Sequence, residues 1–68
     1  MNSVMKKKGY MKRLSEQIRE WRKKRGLTQE ELAEKIGVAM NTVSRWEIGQ
    51  SYPHRRFIQD MRDMGVVK

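Results

Sequence analysis

Apolar residues recur at helical spacing in four segments of the chain. In the first segment, Leu14, Ile18 and Trp21 stand at i, i+4 and i+7 among charged residues. Because this spacing places them along one face of a helix, it predicts an amphipathic helix from Lys12 onward. Gly26 follows a basic last turn, which is typical of a helix end.

Residues 1–11 lack this spacing and contain the run Lys6-Lys7-Lys8. We therefore expect a flexible basic N-terminal arm there, and leave open whether it contacts a partner. The folded domain is expected to cover residues 12–65. Residues 66–68 are expected to form a C-terminal tail.

The second segment is bounded by two helix-end signals. Thr28 and Glu31 have the spacing of a capping box, in which each side chain bonds to the backbone N–H of the other residue. Gly37 is suited to end the helix because glycine adopts a positive φ without steric cost. The helix between them is about two turns long. Its buried face is expected to consist of Leu32, Ala33 and Ile36.

The third segment predicts a helix from about Ala39 to Glu47. Val43 and Trp46 repeat at i+3 and define its buried face, and Gly49 closes the segment. Ala39 stands where a Ser or Thr would cap the helix, and a missing cap typically costs about 1 kcal/mol. We therefore expect the start of this helix to fray in the free protein.

Tyr52-Pro53 predicts a loop followed by a fourth helix, with Pro53 in its first turn, where proline is tolerated. In this helix Phe57, Met61 and Met64 stand at i, i+4 and i+7. Together with Ile58, these side chains suit either the core of the domain or a contact between two copies of the chain. The core is the interpretation we favour for Phe57 and Met61. No segment shows strand alternation, so the pattern predicts an all-α domain.

The residues around the turn between the second and third helices each meet one steric or packing requirement of two helices joined by a short turn. Two helices joined by a short turn cross closely, so a small residue is needed in the first of them, and Ala33 provides it. Gly37 supplies the turn conformation, and Val38 can anchor the turn to the core. Val43 and Trp46 then bury one face of the third helix and leave the other face to solvent.

The outward face of the third helix carries side chains that suit the major groove of DNA. At about 100° per residue, the side chains opposite the buried face are Met40, Asn41, Ser44 and Arg45. Asn41 can pair with adenine and Arg45 with guanine, each through two hydrogen bonds. Ala39 and Met40 offer only apolar contact, for which a thymine methyl is the natural target. Ser44 can bond to a base or to the DNA backbone.

The charge of the chain agrees with a DNA partner. Its 68 residues include 16 Lys and Arg against 8 Asp and Glu, for a net charge of +8. A small basic domain attracts polyanions, most often nucleic acid. The chain contains no cysteine and no apolar run near the roughly 20 residues that a bilayer crossing needs. We therefore expect a cytoplasmic protein without membrane contact.

Residues at fixed spacing between Leu14 and Pro53 carry a family resemblance. They are Leu14, Ile18, Arg22, Gly26-Leu27-Thr28-Gln29, Leu32-Ala33, Ile36-Gly37-Val38, Thr42-Val43, Trp46-Glu47 and Gly49. In this pattern the chain resembles the helix-turn-helix family of phage repressors and Cro proteins. The resemblance implies a lambda-repressor-like domain of four or five packed helices. It also implies that the third helix contacts bases through the positions of Ala39, Met40, Asn41 and Arg45.

The same resemblance implies contacts that position the third helix. In this family the glutamine matching Gln29 anchors a phosphate beside the amides of its helix N-terminus. The arginine matching Arg22 pairs with the acidic residue matching Glu47, and a phosphate can share its guanidinium. Further phosphate contacts are expected from Thr28 and Thr42.

These observations predict sequence-specific binding of double-stranded DNA by a transcriptional regulator, a repressor of bacterial or phage origin. Such a domain needs no metal, cofactor or small-molecule ligand, and a homodimer on DNA remains open. No catalytic site is expected, because the single histidine, His54, adjoins a proline and the carboxylates lie on charged helix faces. The alternative is a protein-interaction module of the same fold beside a larger DNA-associated partner. The polar strip with Arg45 favours DNA.

Overall fold

The computed structural model of the chain describes the backbone of residues 3–68 and the side chains of residues 12–68. Within this range the secondary structure consists of four helices and no strand. The all-α fold class predicted from the sequence is therefore confirmed. The helices are α1 (Ser3–Lys24), α2 (Gln29–Ile36), α3 (Met40–Glu47) and α4 (Arg55–Met64).

Helix α1 is longer than the apolar spacing predicts, since it begins at Ser3 rather than near Lys12. Lysine and methionine have high helix propensities, so the helical backbone can continue through residues 3–11. The backbone there is helical, which differs from the arm expected from the sequence. The side chains of residues 1–11, and any contact of this segment with DNA, lie outside the described residues.

Helix α2 has the predicted caps at both ends. The Thr28 hydroxyl accepts a hydrogen bond from the Glu31 backbone N–H at 3.0 Å, and the Glu31 carboxylate accepts one from the Thr28 N–H at 2.8 Å. The capping box is confirmed. Gly37 ends the helix with φ 91°, a conformation that a side chain disfavours. Its N–H and that of Val38 both donate to the carbonyl of Ala33.

The core lies where α1, α2 and α3 meet, and α4 closes it. Helix α3 packs against both α1 and α2, and α2 also contacts α4. The ring of Trp46 lies 5.7 Å from the ring of Phe57, between centroids. The buried apolar residues are Leu14, Ile18, Leu32, Ala33, Ile36, Val43, Trp46, Ile58, Met61, Val66 and Val67. Of the four apolar residues considered for a dimer contact, Ile58 and Met61 are buried in this core, and Phe57 and Met64 are half-buried and pack against it.

The last residues belong to the core, which corrects the expected tail at residues 66–68. Val66 and Val67 are both buried. Their placement is fixed by two hydrogen bonds, from Val66 N–H to the Met61 carbonyl at 2.8 Å and from Lys68 N–H to the Gln17 side chain at 2.9 Å. Three residues are too few to show a periodicity, so the sequence pattern carried no signal of this burial.

Candidate nucleic-acid interface

Helix α3 buries one face and presents the other to solvent. Val43 is fully buried and Trp46 nearly so, which fixes the orientation of the helix about its axis. We call the outward residues the reading strip; they are Ala39, Met40, Asn41, Ser44 and Arg45. All of them are exposed except Ser44, which is half-buried. The structure therefore brings the five residues proposed from the sequence onto one accessible surface.

The N-terminus of α3 has no side-chain cap. Ala39 is the N-cap residue, with φ −75° and ψ 152°, and makes no capping hydrogen bond. Its carbonyl accepts hydrogen bonds from the N–H groups of Thr42 at 3.0 Å and Val43 at 3.4 Å. The side-chain cap that the sequence predicts to be missing is thus absent at Ala39, and fraying of the first turn of α3 stays a prediction.

Arg22 and Glu47 form an ion pair that connects α1 to the end of α3. The Nε and Nη2 atoms of Arg22 donate to the two carboxylate oxygens of Glu47 at 2.6 and 3.0 Å. Both side chains are largely buried, with 13% and 2% exposed. Arg22 Nη1 also donates to the Leu27 carbonyl at 2.9 Å. The structure thus contains the pair that the family resemblance implied, and extends it to the loop before α2.

The hydrogen bond to Glu47 raises the pKa of the Arg22 guanidinium above its ordinary value, burial opposes this, and the charge of Glu47 adds to it. Since an arginine is not deprotonated in proteins, the contact is between two charged groups when Glu47 is ionised. Two-point contact with a carboxylate is the strongest geometry open to an arginine. It fixes both the distance and the rotation between α1 and α3.

Gln29 is the third member of this cluster. Its Nε2 donates to Glu47 Oε1 at 3.0 Å, so Glu47 accepts three hydrogen bonds from two residues. We call Arg22, Gln29 and Glu47 the anchor cluster. Sequence reasoning paired Glu47 with Arg22 alone and assigned Gln29 only to phosphate. The cluster joins the first residue of α2 to the last residue of α3.

Thr28 and Gln29 lie next to each other at the start of α2. Thr28 is exposed, and its hydroxyl oxygen is engaged in the capping box. Gln29 is half-buried. The first amides of any helix lack partners within the helix and point along its axis, where they attract anions. Thr42, the other threonine proposed for a phosphate, is half-buried beside the reading strip on α3.

Two other arginines lie over aromatic rings. The guanidinium of Arg25 is 4.5 Å from the centre of the Trp21 ring, and that of Arg56 is 5.1 Å from the Phe57 ring. Such contacts contribute about 0.5–1 kcal/mol at exposed sites. They place positive charge near the end of α1 and the start of α4.

One exposed residue was missed by the sequence reasoning. Ile48 is 68% exposed and follows directly after α3, where its N–H donates to the Ser44 carbonyl at 3.1 Å. Its φ of −95° and ψ of 2° keep it close to the helical path. Continuing the register of about 100° per residue one step beyond Glu47 would have placed it on the outward side.

The described helices include none with the length and hydrophobicity needed to span a membrane.

A family model described as helix-turn-helix matches residues 18–61. An uncharacterized HTH-type transcriptional regulator from Methanothermobacter thermautotrophicus is 56% identical over 36 residues, which are 53% of this chain and 52% of the relative. The chain thus spans about half the length of that protein. No solved structure matches the chain significantly.

Proposed function

Since the chain belongs to the Cro/C1-type helix-turn-helix family, we propose that it binds double-stranded DNA sequence-specifically and acts as a transcriptional repressor, with α3 in the major groove. The observation that carries this proposal is the reading strip: an accessible, mostly polar face on a helix whose opposite face is buried and whose end is fixed by the anchor cluster. A rigidly held recognition helix is what direct contact with base edges requires.

Asn41 and Arg45 are the main base-contacting residues in this proposal. Both are exposed, and each can form two hydrogen bonds with a purine in the major groove, Asn41 with adenine and Arg45 with guanine. Ser44 lies on the same strip and can donate to a base or to the backbone. Ala39 and Met40, at the N-terminal end, contact thymine methyl groups.

Gln29 positions the helix on the phosphate backbone. An amide nitrogen carries two hydrogens; Glu47 accepts one of them, and the other is available to a phosphate oxygen. The backbone amides at the start of α2 add to this contact. Thr28 and Thr42 contribute hydroxyl donors on either side.

Arg22 acts mainly through the anchor cluster. Three of its five N–H groups are engaged within the protein, one on each nitrogen. A phosphate can share the remaining ones only at the small exposed part of the side chain. We assign to Arg22 the orientation of α3 first and contact with DNA second.

The net charge of +8 supplies long-range attraction to DNA independent of sequence. Each phosphate that a basic side chain neutralises releases counterions, so affinity falls steeply with salt. A single module of this kind buries only about 600–1,000 Å² of protein surface on DNA. A homodimer would double the contact; on α4 only the half-buried Phe57 and Met64 leave apolar surface for it, because Ile58 and Met61 are buried in the core.

Selection of bound DNA from a random pool tests the proposal directly. The wild-type chain is expected to recover one short motif, and its symmetry reports whether one or two copies bind. The double variant Asn41→Ala/Arg45→Ala should lose that motif and keep weak, sequence-independent binding. Recovery of no motif by the wild type at low ionic strength would reject the proposal and favour docking onto a protein partner.

Arg13→Ala is the matched control, because it removes an exposed arginine of α1. Arg22 faces α3, because it pairs with Glu47. Arg13 is nine positions before Arg22 (22 minus 13), so at about 100° per residue it lies on the opposite side of α1, away from α3. The control variant should recover the wild-type motif with slightly weaker overall affinity.

A further inference from the structure

We propose that a basic groove around Trp21 is a docking site for an acidic peptide segment of a partner protein. Trp21 is half-buried and lines two open depressions of about 530 and 410 Å³, which meet at Trp21 and Lys24. One depression extends to Lys35 on α2, and the other extends to Val66 after α4. We call the joined depressions the Trp21 groove. The inference goes beyond the proposed function and does not depend on it.

The Trp21 groove lies largely on the side of α1 that is turned away from α3. Arg22 faces α3, because it pairs with Glu47. Lys24 is two positions after Arg22 (24 minus 22), so at about 100° per residue it lies about 160° around the helix from Arg22. Arg13 also lines the groove and lies on this far side. A segment bound there would be separated from the reading strip by α1 and α3.

The groove carries an excess of positive charge. Its described lining includes one carboxylate side chain, Glu20, and four exposed basic side chains, Arg13, Lys24, Arg25 and Lys35. Within residues 12–68, no carboxylate lies at ion-pair distance from any of these four cations. Such a surface attracts anionic partners. A peptide rich in Asp and Glu supplies the carboxylates that the groove lacks.

Trp21 and Arg25 form an ordered centre for the contact. The Arg25 guanidinium lies 4.5 Å from the centre of the Trp21 ring. A stacked guanidinium keeps N–H groups on its edge, which match a carboxylate through two hydrogen bonds. The indole N–H of Trp21 is not buried and makes no hydrogen bond to residues 12–68, so it is a further donor. Tryptophan and arginine are enriched among the residues that dominate protein interfaces.

The apolar part of the groove favours a peptide over nucleic acid. The half-buried side chains of Trp21 and Leu27 line it next to the cations. A phosphate placed against them would lose water without gaining hydrogen bonds, whereas a peptide brings an apolar side chain and carboxylates in one segment. A second copy of this chain is disfavoured, because two copies with a net charge of +8 each repel one another.

Selection of random short peptides displayed on phage against the full chain tests the inference. The enriched peptides should carry several Asp and Glu residues around one aromatic or aliphatic side chain. Fluorescence anisotropy of an enriched peptide labelled with fluorescein measures its affinity. The variant Lys24→Gln/Arg25→Gln should weaken this binding about tenfold, because charge-assisted hydrogen bonds are lost.

Arg55→Gln/Arg62→Gln is the matched control. It removes the same charge from two exposed positions of α4 and should bind the peptide nearly as the wild type does. Both double variants change exposed side chains only, and their circular dichroism should match that of the wild type. Bound peptide should also reduce the quenching of tryptophan fluorescence by acrylamide. Trp46 is 3% exposed and already shielded, so this change reports Trp21.

Four outcomes would overturn the inference. The selection enriches no peptide, or enriches peptides without an excess of Asp and Glu. The groove variant and the control variant bind the enriched peptide equally well. A random-sequence DNA duplex, rather than the peptide, loses more affinity in the groove variant than in the control, which would assign the groove to phosphates. The chain self-associates in analytical ultracentrifugation and the groove variant abolishes this, which would assign the groove to a second copy.

Discussion

The side-chain amide of Gln29 donates a hydrogen bond to Glu47 at 3.0 Å, on the carboxylate oxygen that also accepts from Arg22 Nη2. The residue proposed to contact a phosphate is thus held by the same carboxylate that fixes the end of α3. A phosphate bound at Gln29 would position the reading strip relative to the base edges, because Gln29 and α3 are both held by the Glu47 carboxylate. Contact with the backbone and orientation of the base-reading helix are physically linked in this arrangement.

The ion pair between Arg22 and Glu47 should contribute strongly to stability. Arg22→Met leaves Glu47 buried with only Gln29 as a donor, and removing one partner of a buried pair costs about 3–5 kcal/mol. The double variant Arg22→Met/Glu47→Leu should recover most of this loss, because neither charge is left alone. Urea unfolding of the wild type, the two single variants and the double variant measures the coupling.

Arg22→Lys is the control for this cycle, since it keeps the charge but loses the two-point geometry. It should unfold at a denaturant concentration between those of the wild type and Arg22→Met. Strictly additive losses in the cycle would mean that the pair contributes no coupling energy.

Replacing Gln29 by alanine should weaken binding about tenfold on every DNA sequence, because it removes a hydrogen bond to a charged group worth roughly 1.5 kcal/mol. The selected motif should stay unchanged, since phosphate contacts carry no sequence information and Arg22 still holds Glu47 by two hydrogen bonds after the bond from Gln29 is lost. Fluorescence anisotropy with the selected site and a scrambled duplex measures both affinities. Gln59→Ala on the exposed face of α4 is the matched control and should bind like the wild type. A loss confined to one sequence would contradict the phosphate role.

Replacing Arg45 by alanine should relax the preference at one base position, at a cost of about 1–3 kcal/mol there. The slope of affinity against salt should change little, because the lost contact is to a base rather than to a phosphate. Binding to duplexes with each base substituted in turn locates the position. An unaltered base preference would remove Arg45 from the reading strip, whereas a uniform loss with a shallower salt slope would assign it to a phosphate.

A hydroxyl at position 39 should stabilise α3. Ala39→Thr supplies the missing N-cap and should add about 1 kcal/mol to the free energy of unfolding. For a domain of this size that raises the Tm by roughly 4–8 °C. Ala39→Val has nearly the same shape without the hydroxyl and should give no such gain. Equal Tm changes in the two variants would show that shape rather than capping decides the effect.

The C-terminal valines should matter for stability although they follow the last helix. Val67 is 3% exposed, so Val67→Ala should lower the free energy of unfolding by about 2 kcal/mol. Lys68→Ala, at an exposed neighbour, should change it by less than about 0.5 kcal/mol. Thermal unfolding compares the two. A Val67→Ala variant as stable as Lys68→Ala would restore the prediction of a C-terminal tail.

The sequence predicted those features that depend on neighbours within a few residues. The capping box of Thr28 and Glu31 and the left-handed turn at Gly37 follow from local backbone chemistry. The exposed face of α3 follows from the positions of Val43 and Trp46, because the helical period fixes which residues lie opposite them. Helix ends and helix faces are encoded locally, so these predictions held without knowledge of the fold.

The tertiary structure alone decided how the helices meet. Gln29 and Glu47 are 18 positions apart in the chain, and their contact depends on the crossing of α2 and α3 rather than on any spacing. The burial of Val66 and Val67 likewise depends on where the chain returns after Gly65. Local pattern determines what each helix can bury, whereas the side chains that touch are set by packing all four helices at once, because one close-packed arrangement must satisfy every face together.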